Sequence, residues 1–159
     1  MAEEVQITER DKLLYDAEVA AGTFYLRPLL SVEEAQTYVN GILRREWWAR
    51  TGGRGTVTVR YVAQDIVCGM EKVGRAKFLM TLGMGNLCMG SVNHELAHGP
   101  AWREADVDGL HHGPQFVRCL LEIVGRTQQR LFYRRLQEEL RLRGFRWRRP
   151  WIEASWSGM

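Results

Sequence analysis

His94-Glu95-Leu96-Ala97-His98 is the stretch on which the reading of this chain turns. On an α-helix, positions i and i+4 stand one turn apart on one face, so both imidazoles reach a single metal ion. Glu95 is rotated roughly 100° from His94 about the helix axis, which sets its carboxylate beside the ion and within reach of a water. Two histidines and an intervening glutamate at this spacing are the ligands and general base of a catalytic zinc. By chance alone the five-residue pattern arises in on the order of one chain in a hundred. The histidine distribution raises its weight: the chain has 4 His, and His94, His98, His111 and His112 account for all of them.

Catalytic zinc takes three protein ligands and keeps a position for water, so a third ligand must come from elsewhere. A histidine six residues beyond His98 would complete one known spacing, but that position is Glu104. Glu122, on a following helix, is a second option. His112 is the favoured one: it precedes Gly113-Pro114, where a turn into the next helix aims a side chain backwards. Its neighbour His111 is the rival and a possible accessory group. An oxyanion donor is expected from His111, Tyr133 or an arginine. Acceptors for the ligand imidazoles are sought in Asp106 and Asp108, which otherwise read as solvated.

The rest of the chain predicts an α+β fold. Leu13, Leu14, Ala17 and Ala20 mark a helix over Arg10 to Ala21, with Gly22 as its stop. Ser31-Val32-Glu33-Glu34 opens a second helix, expected to run to about Trp48. Strands are expected at Thr56 to Val62 and Ala76 to Leu82, with Gly69 and Gly74 flanking a turn between them. Phe78 to Leu82 reads equally as an edge strand that pairs with an extended substrate or as an interior strand; its apolarity leans towards the interior. The metal helix is expected over Leu87 to His98, ended by Gly99-Pro100 and followed by an acidic loop to Leu110. Two further helices are expected, one from Pro114 through Val124 and one over Thr127 to Arg143.

The chain resembles the SprT-like metallopeptidases in its H-E-x-x-H helix, the strand-rich segment before it and His112-Gly113-Pro114-Gln115-Phe116 opening a helix. It is also similar to a family of short metallohydrolases from GC-rich bacteria and their phages, assigned by motif. That similarity lies in Arg10-Asp11, Tyr15-Asp16-Ala17-Glu18, the motif and His-Gly-Pro-x-Phe-Val. The resemblance implies a minimal zincin-like metallopeptidase domain over 1–159, with the basic C-terminal segment 126–159 part of it. It implies His112 as third ligand and Zn2+ as cofactor. Unlike many SprT-like proteins, the chain has no cysteine-rich zinc ribbon.

The expected function is therefore a zinc metallohydrolase acting on a peptide or protein, with Glu95 activating water for His94, His98 and His112. A zinc hydrolase of a non-peptide amide is one alternative. A nucleic-acid-binding protein with a vestigial site is another, since residues 126–149 carry nine arginines against two glutamates, with aromatics interleaved. DNA contact through that segment competes with its use as the solvated face of an amphipathic helix. At 159 residues, 45% hydrophobic and 26% charged, the composition is that of a globular protein able to bury a core. Three cysteines without a C-x-x-C pair, an acidic start and no run of ~20 apolar residues predict a cytoplasmic protein without a membrane span.

Overall fold

A computed structural model describes residues 7–24, 26–29 and 31–157; the side chains of 106–108, and with them those of Asp106 and Asp108, lie outside the described residues. Seven helices and a three-stranded mixed sheet make up the described residues, an α+β arrangement as expected. The helices are α1 (Glu9–Ala21), α2 (Val32–Leu43), α3 (Glu46–Arg50), α4 (Met89–Asp108), α5 (Pro114–Thr127), α6 (Arg130–Leu142) and α7 (Ile152–Trp156). The strands are β1 (Thr56–Tyr61), β2 (Gly69–Gly74) and β3 (Lys77–Leu82). No described helix is long and apolar enough to cross a membrane.

Local chemistry accounts for the helix starts. Thr8 and Asp11 form a reciprocal capping box on α1: Asp11 N–H donates to Thr8 Oγ1 and Thr8 N–H to Asp11 Oδ2. Ser31 caps α2 by accepting from Glu34 N–H at 3.1 Å. The expected single helix to Trp48 is broken, because Arg45 adopts extended backbone (φ −78°, ψ 136°). That break turns Trp48 inward, where it is buried.

Two further expectations are corrected. Gly69 and Gly74 do not flank a turn; they bound a strand, and the chain reverses instead at Arg75-Ala76. Gly99-Pro100 does not end the metal helix, which continues to Asp108 and stops at Gly109 in the left-handed region (φ 65°). Pro100 forgoes one intrahelical hydrogen bond. Helical continuation buries Ala101 and sets the Trp102 ring edge-on to Phe78 at 5.8 Å, burial that offsets the loss.

The sheet order is β1-β3-β2, with β1 parallel and β2 antiparallel to β3. β3 is thus interior and cannot be the edge that receives a substrate. Its Phe78, Met80 and Leu82 are buried together with the apolar faces of α4 and α5. The outer edge of β1 is covered by a side chain: Gln36 donates to Val57 O at 2.9 Å and accepts from Val59 N at 2.8 Å. No strand among the described residues covers the outer edge of β2.

Candidate metal centre

α4 carries His94 and His98 one turn apart, and His112 lies immediately before Gly113, the N-cap of α5. The three imidazoles form a near-equilateral triangle, with ring centroids 5.4, 5.2 and 5.0 Å apart. One donor atom from each lies within 4.8 Å of the others. Phe116, one turn into α5 and fully buried, lies against all three rings at 4.5–5.1 Å. The His-Gly-x-x-Phe spacing thereby acquires a physical meaning: the histidine closes the triangle and the phenylalanine packs on it.

The orientation of the rings comes from α1. Asp11, Tyr15 and Glu18 recur at helical spacing, so one face of α1 presents all three. His94 Nδ1 lies 2.7 Å from Glu18 Oε2, and His112 Nδ1 lies 2.5 Å from Asp11 Oδ1. A carboxylate only accepts, so each Nδ1 carries a hydrogen, and on a neutral ring Nε2 keeps its lone pair. Those two Nε2 atoms face one another at 3.2 Å. Tyr15, between Asp11 and Glu18 along α1, stacks on His94 with centroids 5.0 Å apart and planes 18° apart. Asp11 serves twice, since Oδ2 closes the α1 capping box while Oδ1 holds His112.

Gly90 shows how closely the chain packs at the start of α4. A Cβ there would lie 1.8 Å from Phe24 O and 2.2 Å from Thr23 O, so only glycine lets the segment after α1 cross the helix. That crossing holds the end of α1 against the first turn of α4, next to His94.

Burial and neighbouring charge set the protonation of these groups. Burial would push His94 down, but the Glu18 carboxylate and its hydrogen bond raise it above the usual histidine value. Burial and the neighbouring imidazoles hold His98 well below that value. Burial and His94 push His112 down to about 4 against the pull of Asp11. Glu95 is buried, its Oε2 has no hydrogen-bond partner among the described residues, and burial pushes its carboxyl up to about 7. His98 Nε2 and Glu95 Oε2 are 4.0 Å apart.

His94, His98, Glu95 and His112 therefore come together as the sequence predicts. His111 is exposed and outside the triangle. Glu122 is buried but committed elsewhere: it accepts from Arg126 Nε at 2.9 Å and from Ile152 N–H at 2.6 Å, tying α5 to α7. Tyr133 donates to Glu153 Oε1 at 2.5 Å, which commits its hydroxyl to α7. The residues that sequence reasoning left without a role are Asp11, Tyr15, Glu18 and Phe116. Glu18 carried a signal, since it is an acid on the same stripe as the buried Leu14, Ala17 and Ala21.

Five of the nine arginines in residues 126–149 are engaged within the chain, Arg126 with Glu122 among them. Arg143 pairs with Glu139 and Arg149 with Glu153, while Arg130 and Arg141 lie over Trp156 and Trp147 at 4.7 and 5.6 Å. The three cysteines are free; burial pushes Cys68 up to about 11 and Cys119 up to about 12, as suits packing groups.

No protein-family model, curated protein or solved structure matches the chain.

Proposed function

We propose that the protein is a zinc metallohydrolase of zincin-like design that cleaves amide bonds, with peptides as its substrate class. The observation that carries this reading is the pair of Nε2 atoms facing at 3.2 Å while both Nδ1 atoms are committed to carboxylates. On neutral rings two lone pairs so placed repel, and a cation between them, a proton or a metal ion, relieves the repulsion. Two nitrogens bound tetrahedrally at 2.0–2.1 Å from zinc would stand roughly 3.3 Å apart, so the donor set fits this ion. Neutral His98 and His112 suit ligation further, because neither holds a proton that a metal would have to displace at pH 7.

His94, His98 and His112 would hold the ion, and Asp11 and Glu18 would fix the ligand tautomers. When bound, zinc supplies Lewis acidity, polarising a scissile carbonyl and acidifying water. Glu95 presents a free Oε2 beside His98 and takes a proton from water there. The same carboxyl returns that proton to a leaving amine. Tyr15 is assigned the oxyanion role: it stacks on His94, and its hydroxyl makes no hydrogen bond among the described residues. Burial and the carboxylates of Glu95, Glu18 and Asp11 raise the Tyr15 phenol, so it stays a donor. The open edge of β2 is where an extended peptide would pair, in place of β3.

Elemental analysis of the purified protein, with peptide hydrolysis assayed in parallel, tests the proposal. One zinc per chain and cleavage lost in Glu95→Ala, with zinc retained, are expected. Failure to take up zinc, or cleavage that survives Glu95→Ala, would overturn it.

A further inference from the structure

Beyond His98 the metal helix forms one wall of a cavity of about 360 Å3. Gly99 and Pro100 open it, Trp102 follows one turn after His98, and Phe78 of β3 lies across from Trp102. Three cations line it from three separate parts of the chain: Arg54 from the loop before β1, Lys72 from β2 and Arg103 from α4. No acidic residue lines the cavity, and Arg54, Lys72 and Arg103 take part in no ion pair or side-chain hydrogen bond among the described residues. Like charges brought together in this way repel, and an anion placed among them would relieve the repulsion.

The cavity also lies where a bound peptide would direct a side chain. Lys72 is the register partner of Phe78, so both occupy the α4-facing side of the sheet. A strand added at the open edge of β2 sends alternate side chains to that side, towards Trp102 and Arg103. The aromatic wall accepts methylene groups, while the three cations accept a carboxylate.

We propose that this cavity is a specificity pocket for an acidic side chain, glutamate above all, in a peptide substrate; this rests on the hydrolase reading given above. The pocket selects by charge, through Arg54, Lys72 and Arg103. The carboxylate could be offered by a side chain or by the end of a peptide, and the structure assigns the side chain because the cavity lies on the face to which a strand paired with β2 turns alternate side chains.

Fluorophore-labelled alanine-based octapeptides, titrated onto zinc-loaded Glu95→Gln protein and followed by anisotropy, provide the test. One carries a central glutamate and a C-terminal amide; the others replace that residue by glutamine or lysine, or lack it and keep a free carboxyl end. The glutamate peptide is expected to bind at least tenfold more tightly than the glutamine peptide. Arg54→Ala/Lys72→Ala/Arg103→Ala should erase that difference without changing zinc content, and Lys72→Glu/Arg103→Glu should shift preference to lysine. Equal binding of glutamate, glutamine and lysine peptides would overturn the proposal, as would tightest binding of the free-ended peptide. The hydrolase reading is scored separately. Protein that takes up no zinc yet selects the glutamate peptide would remove that reading and support a carboxylate pocket. Zinc-dependent cleavage indifferent to charge would do the reverse.

Discussion

Glu95 and two of the imidazoles around it, those of His98 and His112, affect stability with opposite signs, and the difference can be measured in the metal-free protein. The Glu95 carboxyl titrates at about 7 when folded and in the ordinary carboxylate range, about 4.3, when unfolded. Between those values the unfolded chain releases a proton that the folded one keeps, so this group's contribution to stability falls as pH rises through the window. His112, pushed down to about 4, does the opposite and gains stability as pH rises towards 6.5. Glu95→Gln removes the first effect and keeps the second. Metal-free Glu95→Gln is therefore expected to match the wild type near pH 4.5 and to exceed it by up to about 3 kcal/mol above pH 7, at roughly 1.4 kcal/mol per pH unit. Thermal melts in chelator at both pH values check this; a gap that fails to widen would mean that Glu95 is ionised in the fold. His94, Glu95 and His98 were legible because helical spacing is a local property. Asp11 and Glu18 were not assigned, because they lie 101 and 76 residues from their histidines and only tertiary packing pairs them.

Elements that begin or end through local chemistry were read well, and those decided by packing were not. α1 and α5 lie close to where their caps and Pro114 place them. α4 runs past Pro100 because burial of Ala101 and Trp102 outweighs a local penalty that sequence alone makes decisive. The added length has a use. It carries Glu104, read as part of an acidic loop, to the start of α5, where Oε2 accepts from Gln115 N–H at 2.8 Å. Gly113 offers no side-chain cap of its own, so Glu104 takes that role from another helix. A Cβ on Gly113 would fall 1.8 Å from Glu104 Oε1, so a larger residue there would displace the capping carboxylate. Glu104→Ala is expected to cost ~1 kcal/mol, lowering the melting temperature by about 2–4 °C, while Glu104→Gln, which keeps an acceptor, loses less. Calorimetry on the two variants distinguishes capping from general packing: equal losses would rule out the cap.

At the scale of the whole molecule, the metal centre draws on parts of the chain far apart in sequence. α1 supplies the carboxylates, α4 two imidazoles and the start of α5 the third. α1 is in turn held by the C-terminal region, where Phe132 lies against Gly22 and Arg10 stacks over Phe145 at 4.7 Å. The arginine-aromatic pattern that suggested nucleic acid thus has a use within the fold. Because the ligands and their acceptors meet only when these elements are packed, zinc should bind the folded chain and not the unfolded one. Zinc at a hundredfold over its dissociation constant would then stabilise the fold by about 2.7 kcal/mol, a rise of roughly 5–10 °C in melting temperature. Glu18→Gln keeps the shape of the His94 partner but removes its charge, and altering such an outer partner weakens metal binding by roughly 10–100-fold. At the same zinc concentration the variant's rise should therefore shrink by at least about 1.4 kcal/mol, the equivalent of tenfold. An undiminished rise in the variant would mean that α1 only packs against the ligands. No rise in the wild type would mean that the three imidazoles meet for a reason other than zinc.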